Sequence, residues 1–234
     1  MGDVDIQTIV LLYGVLLISL TVHEASHAWL AMLGGDRTAY VGGQVSLNPI
    51  PHIRREPFGT VILPLFVLFA SNGTWCMGFA STPIDARWAW NHPRRAALMS
   101  AAGPVSNFLL AGIAWLGLWS LIQAGVADPS YTMFVGDRLS AIRPVESNDT
   151  MVFAAGQILT AFVLLNVLLG IFNLFPWPPL DGAGVLEGLF PKQLRGVYGF
   201  IRSNPLWIIL GMLGIWKLLP EVFWPVYEWL VFAL

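Results

Sequence analysis

Residues 19 to 33 read SLTVHEASHAWLAML, and they place two histidines and a glutamate inside an apolar run that starts at Ile6. A chain crossing a bilayer as a helix needs about 20 mostly apolar residues, and residues 6 to 33 supply them. That run commits the chain to a membrane. It also poses a problem, because ionisable side chains at that depth are costly and mark function by default. His23 lies about 17 residues after Ile6, roughly 25 Å along a helix rising 1.5 Å per residue. The hydrocarbon core is about 30 Å thick, so the site falls within it, nearer the helix end that follows.

The rest of the chain agrees with a membrane class. Only 11% of residues are charged and 56% are hydrophobic, against about 25% charged in ordinary soluble domains. Eleven tryptophans suit membrane–water interfaces. The net charge is -2 and no long basic run points to nucleic acid. The single cysteine, Cys76, excludes an internal disulfide framework. The opening MGDVDIQTIV lacks a basic n-region and a small-residue cleavage site, so 6 to 33 is expected to be a retained span.

Further apolar runs cover 59–80, 96–124, 151–175 and 206–234. The expected fold is an all-α polytopic bundle of about 4–6 transmembrane segments. Between the first two runs, AYVGGQVSL has β-like character over Tyr40 to Leu47, so a small membrane-associated β-like loop is expected there. The 59–80 run is broken by Ser71 to Thr74, and it either crosses or dips in and returns. Loop arginines favour the return. It puts Arg37, Arg54 and Arg55 on one side with Arg87, Arg94 and Arg95, and leaves the acidic 125–150 loop outside. By the same rule the basic side is cytosolic, and the histidine-bearing end of the first span lies toward it. The tail from 206 reads as one tilted span or a short hairpin. One domain over 1–234 is expected, with a core of roughly 6–190.

In HEASH, His23 and His27 are four residues apart and share one helix face. Two imidazoles so placed can ligate zinc, with Glu24 as general base. The competing reading is a set of polar groups satisfied within a helix bundle. A catalytic zinc takes about three protein ligands and one open position. His52 and His92 sit in loops and read as surface residues. Asp181, in NLFPWPPLDGAG, follows prolines that break the helix and can return its carboxylate to the bundle. A solvated Asp-Gly turn is the alternative.

HEASH in a first span, AAGPVSNFLLA in a middle span and FNLFPWPPLDG ending a later one resemble the site-2 protease family of intramembrane zinc metalloproteases. GGQVSLNPIPHI and PFGTVILP resemble its compact bacterial and archaeal members, which carry no PDZ or CBS domain. The likeness runs over roughly residues 10 to 190 and leaves the tail out. It implies one Zn2+ per chain held by His23, His27 and Asp181, with Glu24 activating water. It implies that Asn173 steadies the oxyanion, and it carries over Asn107 with a less defined role, for which helix–helix hydrogen bonding is the alternative. It also implies a membrane-protein substrate cut within or near a transmembrane segment, in a bacterial or archaeal cell membrane. Arg54, Arg55 and Glu56 depart from the family pattern, as does GFASTPIDARWAWN, where relatives are more basic. The rival class is a non-proteolytic zinc-binding membrane protein, a transporter or an inactive scaffold. A transporter is expected to spread its ionisable groups over several spans, whereas here they cluster at one site.

Overall fold

The computed structural model describes residues 6–130, 134–135, 138–146 and 149–234. Four described helices are long and apolar enough to cross a membrane: α1 (Ile6–Leu33), α6 (Pro93–Gln123), α7 (Thr150–Asn173) and α10 (Pro205–Phe232). The polytopic all-α expectation is borne out. The tail is a single helix that continues through Pro220 and Pro225. Polar and apolar side chains are sorted as lipid demands. Ser19, His23, Glu24, His27, Asn107, Thr160 and Asn166 face inward, while Ile6, Val10, Ile18 and Trp29 of α1 face out.

Helix starts follow local chemistry. Asp149 caps α7 by accepting from the Met151 and Val152 amides. Asn204 caps α10 by accepting from Leu206 N at 3.0 Å. Proline opens α6, α10 and α9 (Pro191–Ser203), where a missing N–H costs nothing. One core cluster joins Leu118 of α6, Val163 and Val167 of α7, and Phe223 and Tyr227 of α10. A second joins Ile9, Leu12 and Leu16 of α1 to Leu165 of α7 and to Leu68 of α4 (Leu63–Ala70).

The broken run is a hairpin. A π-helical turn, Phe58–Ile62, leads into α4, and together the 13 residues of Phe58–Ala70 extend roughly 20 Å, too short to cross. After a turn at 71–74 the chain comes back extended, and Phe79 N donates to Gly59 O at 3.0 Å. At the tip Gly73 sits against Thr8 and Ile9 of α1. Both arginine clusters therefore end up at one end of the bundle. Arg55 Nε donates to Ser81 O at 3.0 Å, and Arg95 donates to Gly34 O at 3.1 Å.

The β-like loop is corrected. Tyr40 and Val41 finish a short helix, α2 (Thr38–Val41), and 42–48 form turns and bends with no strand. Gly42 and Gly43 allow the chain to leave the helix tightly, Gly43 at φ +75°. Helix α3 (Pro49–Arg55) follows, capped by Asn48. The described strands lie elsewhere: β1 (Ala127–Pro129) pairs antiparallel with β4 (Ile142–Pro144), and β2 (Phe134–Val135) with β3 (Arg138–Leu139). The expected acidic balance of 125–150 falls partly on Asp137, and the N-terminal reading partly on residues 1–5, all outside the described residues.

Candidate metal centre

His23 and His27 lie one turn apart on α1, with rings edge to face and centroids 4.6 Å apart. Each ring is aimed by a bond from its far nitrogen. His27 Nδ1–H donates to Met99 O at 2.7 Å. His23 Nδ1–H donates to Asn107 Oδ1 at 2.6 Å. These bonds fix the tautomers, so both Nε2 atoms carry lone pairs into the same space.

Asp181 meets them from the other side. The prolines of 176–179 stop α7, and a new helix, α8 (Asp181–Leu189), begins at Asp181 itself. A carboxylate in the first turn suits the helix dipole. Gly184 and Gly188 lie flush on α6, where a Cβ would overlap Ser100 or the Pro93–Ala97 backbone. That seating brings Asp181 Oδ2 to 3.1 Å from His23 Nε2 and 3.3 Å from His27 Nε2. The two Nε2 atoms are 3.0 Å apart.

Three lone-pair atoms so close repel unless a cation joins them, and Asp181 Oδ2 has no hydrogen-bond partner. A tetrahedral zinc with ligands at about 2.0 Å has edges of about 3.3 Å, so the triangle fits. Gly103 completes the cradle, since a Cβ there would collide with both imidazoles. Among the described residues no other group of metal-capable side chains converges in this way.

Glu24 is buried beside the pair, and its Oε2 accepts from Thr82 Oγ1 at 2.6 Å. Asn107 is fully buried. Its oxygen serves His23 and its Nδ2 donates to Asn166 Oδ1 at 2.8 Å. Asn166 Nδ2 in turn donates to Ser19 Oγ at 2.9 Å. Asn173 instead donates to Leu169 O of its own helix at 3.0 Å. His52, expected at the surface, is buried and donates from Nε2 to Ser46 O at 3.0 Å. The turn of α3 after Asn48 faces it inward. His92 is half-buried and stacks on Trp88.

Sequence reasoning missed Thr82, Asn166, Gly103 and the Met99 carbonyl. Asn166 had a readable signal: it is polar in an apolar run, seven residues before Asn173 and thus on nearly the same face. Gly103 lies in the quoted AAGP, a run of small residues. Thr82 sits in irregular chain, where no periodicity points anywhere.

The sequence model of peptidase family M50 matches residues 11–213. YwhC of Bacillus subtilis is 36% identical over 214 residues, covering 87% of this chain and 83% of its own length. Rip2 of Mycolicibacterium smegmatis is 29% identical over 182 residues, 77% of this chain and 58% of its own. Rip2 of Mycobacterium tuberculosis is 31% identical over the same shares. All are named, provisionally, as zinc metalloproteases. No solved structure matches the chain.

Proposed function

This chain belongs to peptidase family M50, the site-2 proteases, and is a zinc metalloprotease; on that premise we propose that it cuts its substrate within the membrane. The substrate is a membrane protein, and the scissile bond lies in or next to its transmembrane segment. The observation that supports this most is the placement of the ligand atoms. His23 and His27 belong to a membrane-length helix, and their Nε2 atoms meet Asp181 Oδ2 inside the bundle.

In this reading His23, His27 and Asp181 hold one zinc. When bound, it supplies Lewis acidity to the scissile carbonyl and to the attacking water. Glu24 takes the proton from that water and passes it to the leaving amine. Its burial in a site shielded from bulk solvent strengthens every charge interaction there. Asn107 holds the His23 ring, with Asn166 and Ser19 behind it, and so acts on alignment. Asn173 is the donor for the developing oxyanion. That role requires its amide to turn away from Leu169 O, where it now rests.

A helical substrate must unwind before its carbonyl is open to attack. An open groove of about 240 Å³ runs along α1, lined by Ala25, Ser26, Trp29, Val45, Ser46 and Leu47. Ala25, Ser26 and Trp29 lie on the side of α1 turned away from His23 and His27, so this groove is separate from the ligand atoms. The arginine-rich end faces the cytosol of a bacterial or archaeal cell, which sets the site toward that side.

The test pairs metal content with cleavage. Purified Glu24→Gln should retain about one zinc, as three intact ligands require, and should not cut a membrane-segment substrate. Cleavage at the parent rate by that variant would refute the reading.

A further inference from the structure

Thr82 belongs to no motif and to no regular element, yet its hydroxyl reaches the proposed base. Oγ1 stands 2.6 Å from Glu24 Oε2 and 3.0 Å from Glu24 O. One hydroxyl has one proton. The shorter contact is in the range of a charge-assisted O–H···O⁻ bond, so the carboxylate receives it.

The mount behind Thr82 is fixed on both sides. Pro83 follows it and keeps its backbone extended. On the preceding side, Ser81 O accepts from Arg55 Nε at 3.0 Å, and Gln44 Nε2 points to the same oxygen from 3.5 Å. Ser81 Oγ donates to Glu56 Oε2 at 3.3 Å. On the following side, Asp85 N donates to Asp36 Oδ2 at 2.8 Å, just past the end of α1. The returning leg of the hairpin is therefore tied to α3 and to the end of α1, with Thr82 between the ties.

We propose that Thr82 is the positioning residue for Glu24: its hydroxyl holds Oε2 in place and leaves Oε1 as the oxygen that takes the proton. This rests on the protease reading above, in which Glu24 is the base that moves the proton. The hairpin is then part of the proton-transfer apparatus as well as a filler of the bundle. Arg55, Glu56 and Asp36 are the residues that set the mount.

Two variants separate positioning from simple stapling. Thr82→Val keeps the shape and loses the hydroxyl, and Thr82→Ser restores the hydroxyl. In metal-free, detergent-solubilised protein labelled with 13C-glutamate, the Glu24 carboxylate band is isolated by subtracting Glu24→Gln. Thr82→Val should shift that band and Thr82→Ser should not. In zinc-loaded protein, Thr82→Val should lower kcat by about tenfold to a hundredfold, within the range of general-base contributions, with KM unchanged. Zinc content and thermal midpoint should stay at parent values, and Thr82→Ser should recover most of kcat. Thr82→Ala serves as the hydroxyl-free variant if Thr82→Val does not fold. The proposal is overturned by an unshifted band, by kcat within about twofold of the parent, or by a kcat loss matched by loss of zinc or of thermal midpoint. Cleavage by Glu24→Gln would instead remove the protease reading itself, whatever Thr82 does.

Discussion

His23 and Asn107 lie 84 residues apart and are joined by a 2.6 Å hydrogen bond between Nδ1 and Oδ1. The bond crosses from α1 to α6 and is backed by Asn166 of α7 and Ser19 of α1. Three of the four spanning helices thus share one buried polar chain that ends on a metal-facing imidazole. In a bilayer interior each such group must find its partner within the protein. The chain therefore locks the helices and the ring together.

Breaking that chain should weaken zinc before it unfolds the bundle. Asn107→Leu removes the acceptor of His23 Nδ1–H and frees the ring to rotate. Zinc affinity, measured by competition with a chromophoric chelator, should fall about 10–100-fold, as for other outer-sphere partners of metal-bound histidines. Asn166→Leu should give a smaller loss in the same direction. Parent affinity in both variants would show that the relay does not align the metal site.

Gly103→Ala should abolish metal binding. Its Cβ would land on His23 Nε2 and Cε1 and on His27 Nε2, which are the ligand edges themselves. Gly112→Ala is the matched control on the same helix, because nothing lies within 4 Å of its added Cβ. Zinc per chain, by elemental analysis of the purified proteins, should drop only in the first.

Asp36 carries a pH signature outside the spans. Burial alone would raise its pKa. Hydrogen bonds from the Thr38 hydroxyl and from the Asp85 and Thr38 amides outweigh that and hold the carboxyl below its usual value. A depressed folded-state pKa adds stability that is fully present above the unfolded value, about 3.9, and is lost as pH falls through the lower folded value. The thermal midpoints of the parent and Asp36→Asn should therefore differ most above about pH 4 and converge below it. A gap that widens on acidification would contradict this assignment.

The hairpin makes a topological prediction. In a Cys76→Ser background, single cysteines replacing Arg54 or Arg94 should react with a membrane-impermeant maleimide from the same face of sealed vesicles. Both positions are exposed and lie at the same end of the bundle. Labelling from opposite faces would mean that 58–80 crosses the membrane.

Several features were legible because they repeat or are costly. A four-residue histidine spacing, apolar runs of span length and a proline-broken turn before Asp181 can each be read without coordinates. The hairpin was legible indirectly, through arginines that agree on a side only if the chain turns back. The strand expected over 40–47 failed because alternation of apolar residues is weak evidence across glycines. Gly42 and Gly43 end a helix there, donating back to Thr38 O and Tyr40 O, and pair with no strand. His52 was misplaced because a loop position says little about which way a capped helical turn will face.

By itself the sequence determined the membrane class, the zinc-capable pair on α1 and the candidate third ligand, since burial of charge and helix periodicity are local properties of the chain. Only the tertiary structure decided the rest. It brought Asp181 to within 3.3 Å of both imidazoles by seating Gly184 and Gly188 on α6. It also gave Asn107 to His23 and set Thr82 on Glu24. These partners are separated by tens of residues, and no period or propensity links them. They meet because helices buried in lipid must close their polar groups on one another, and packing alone selects which.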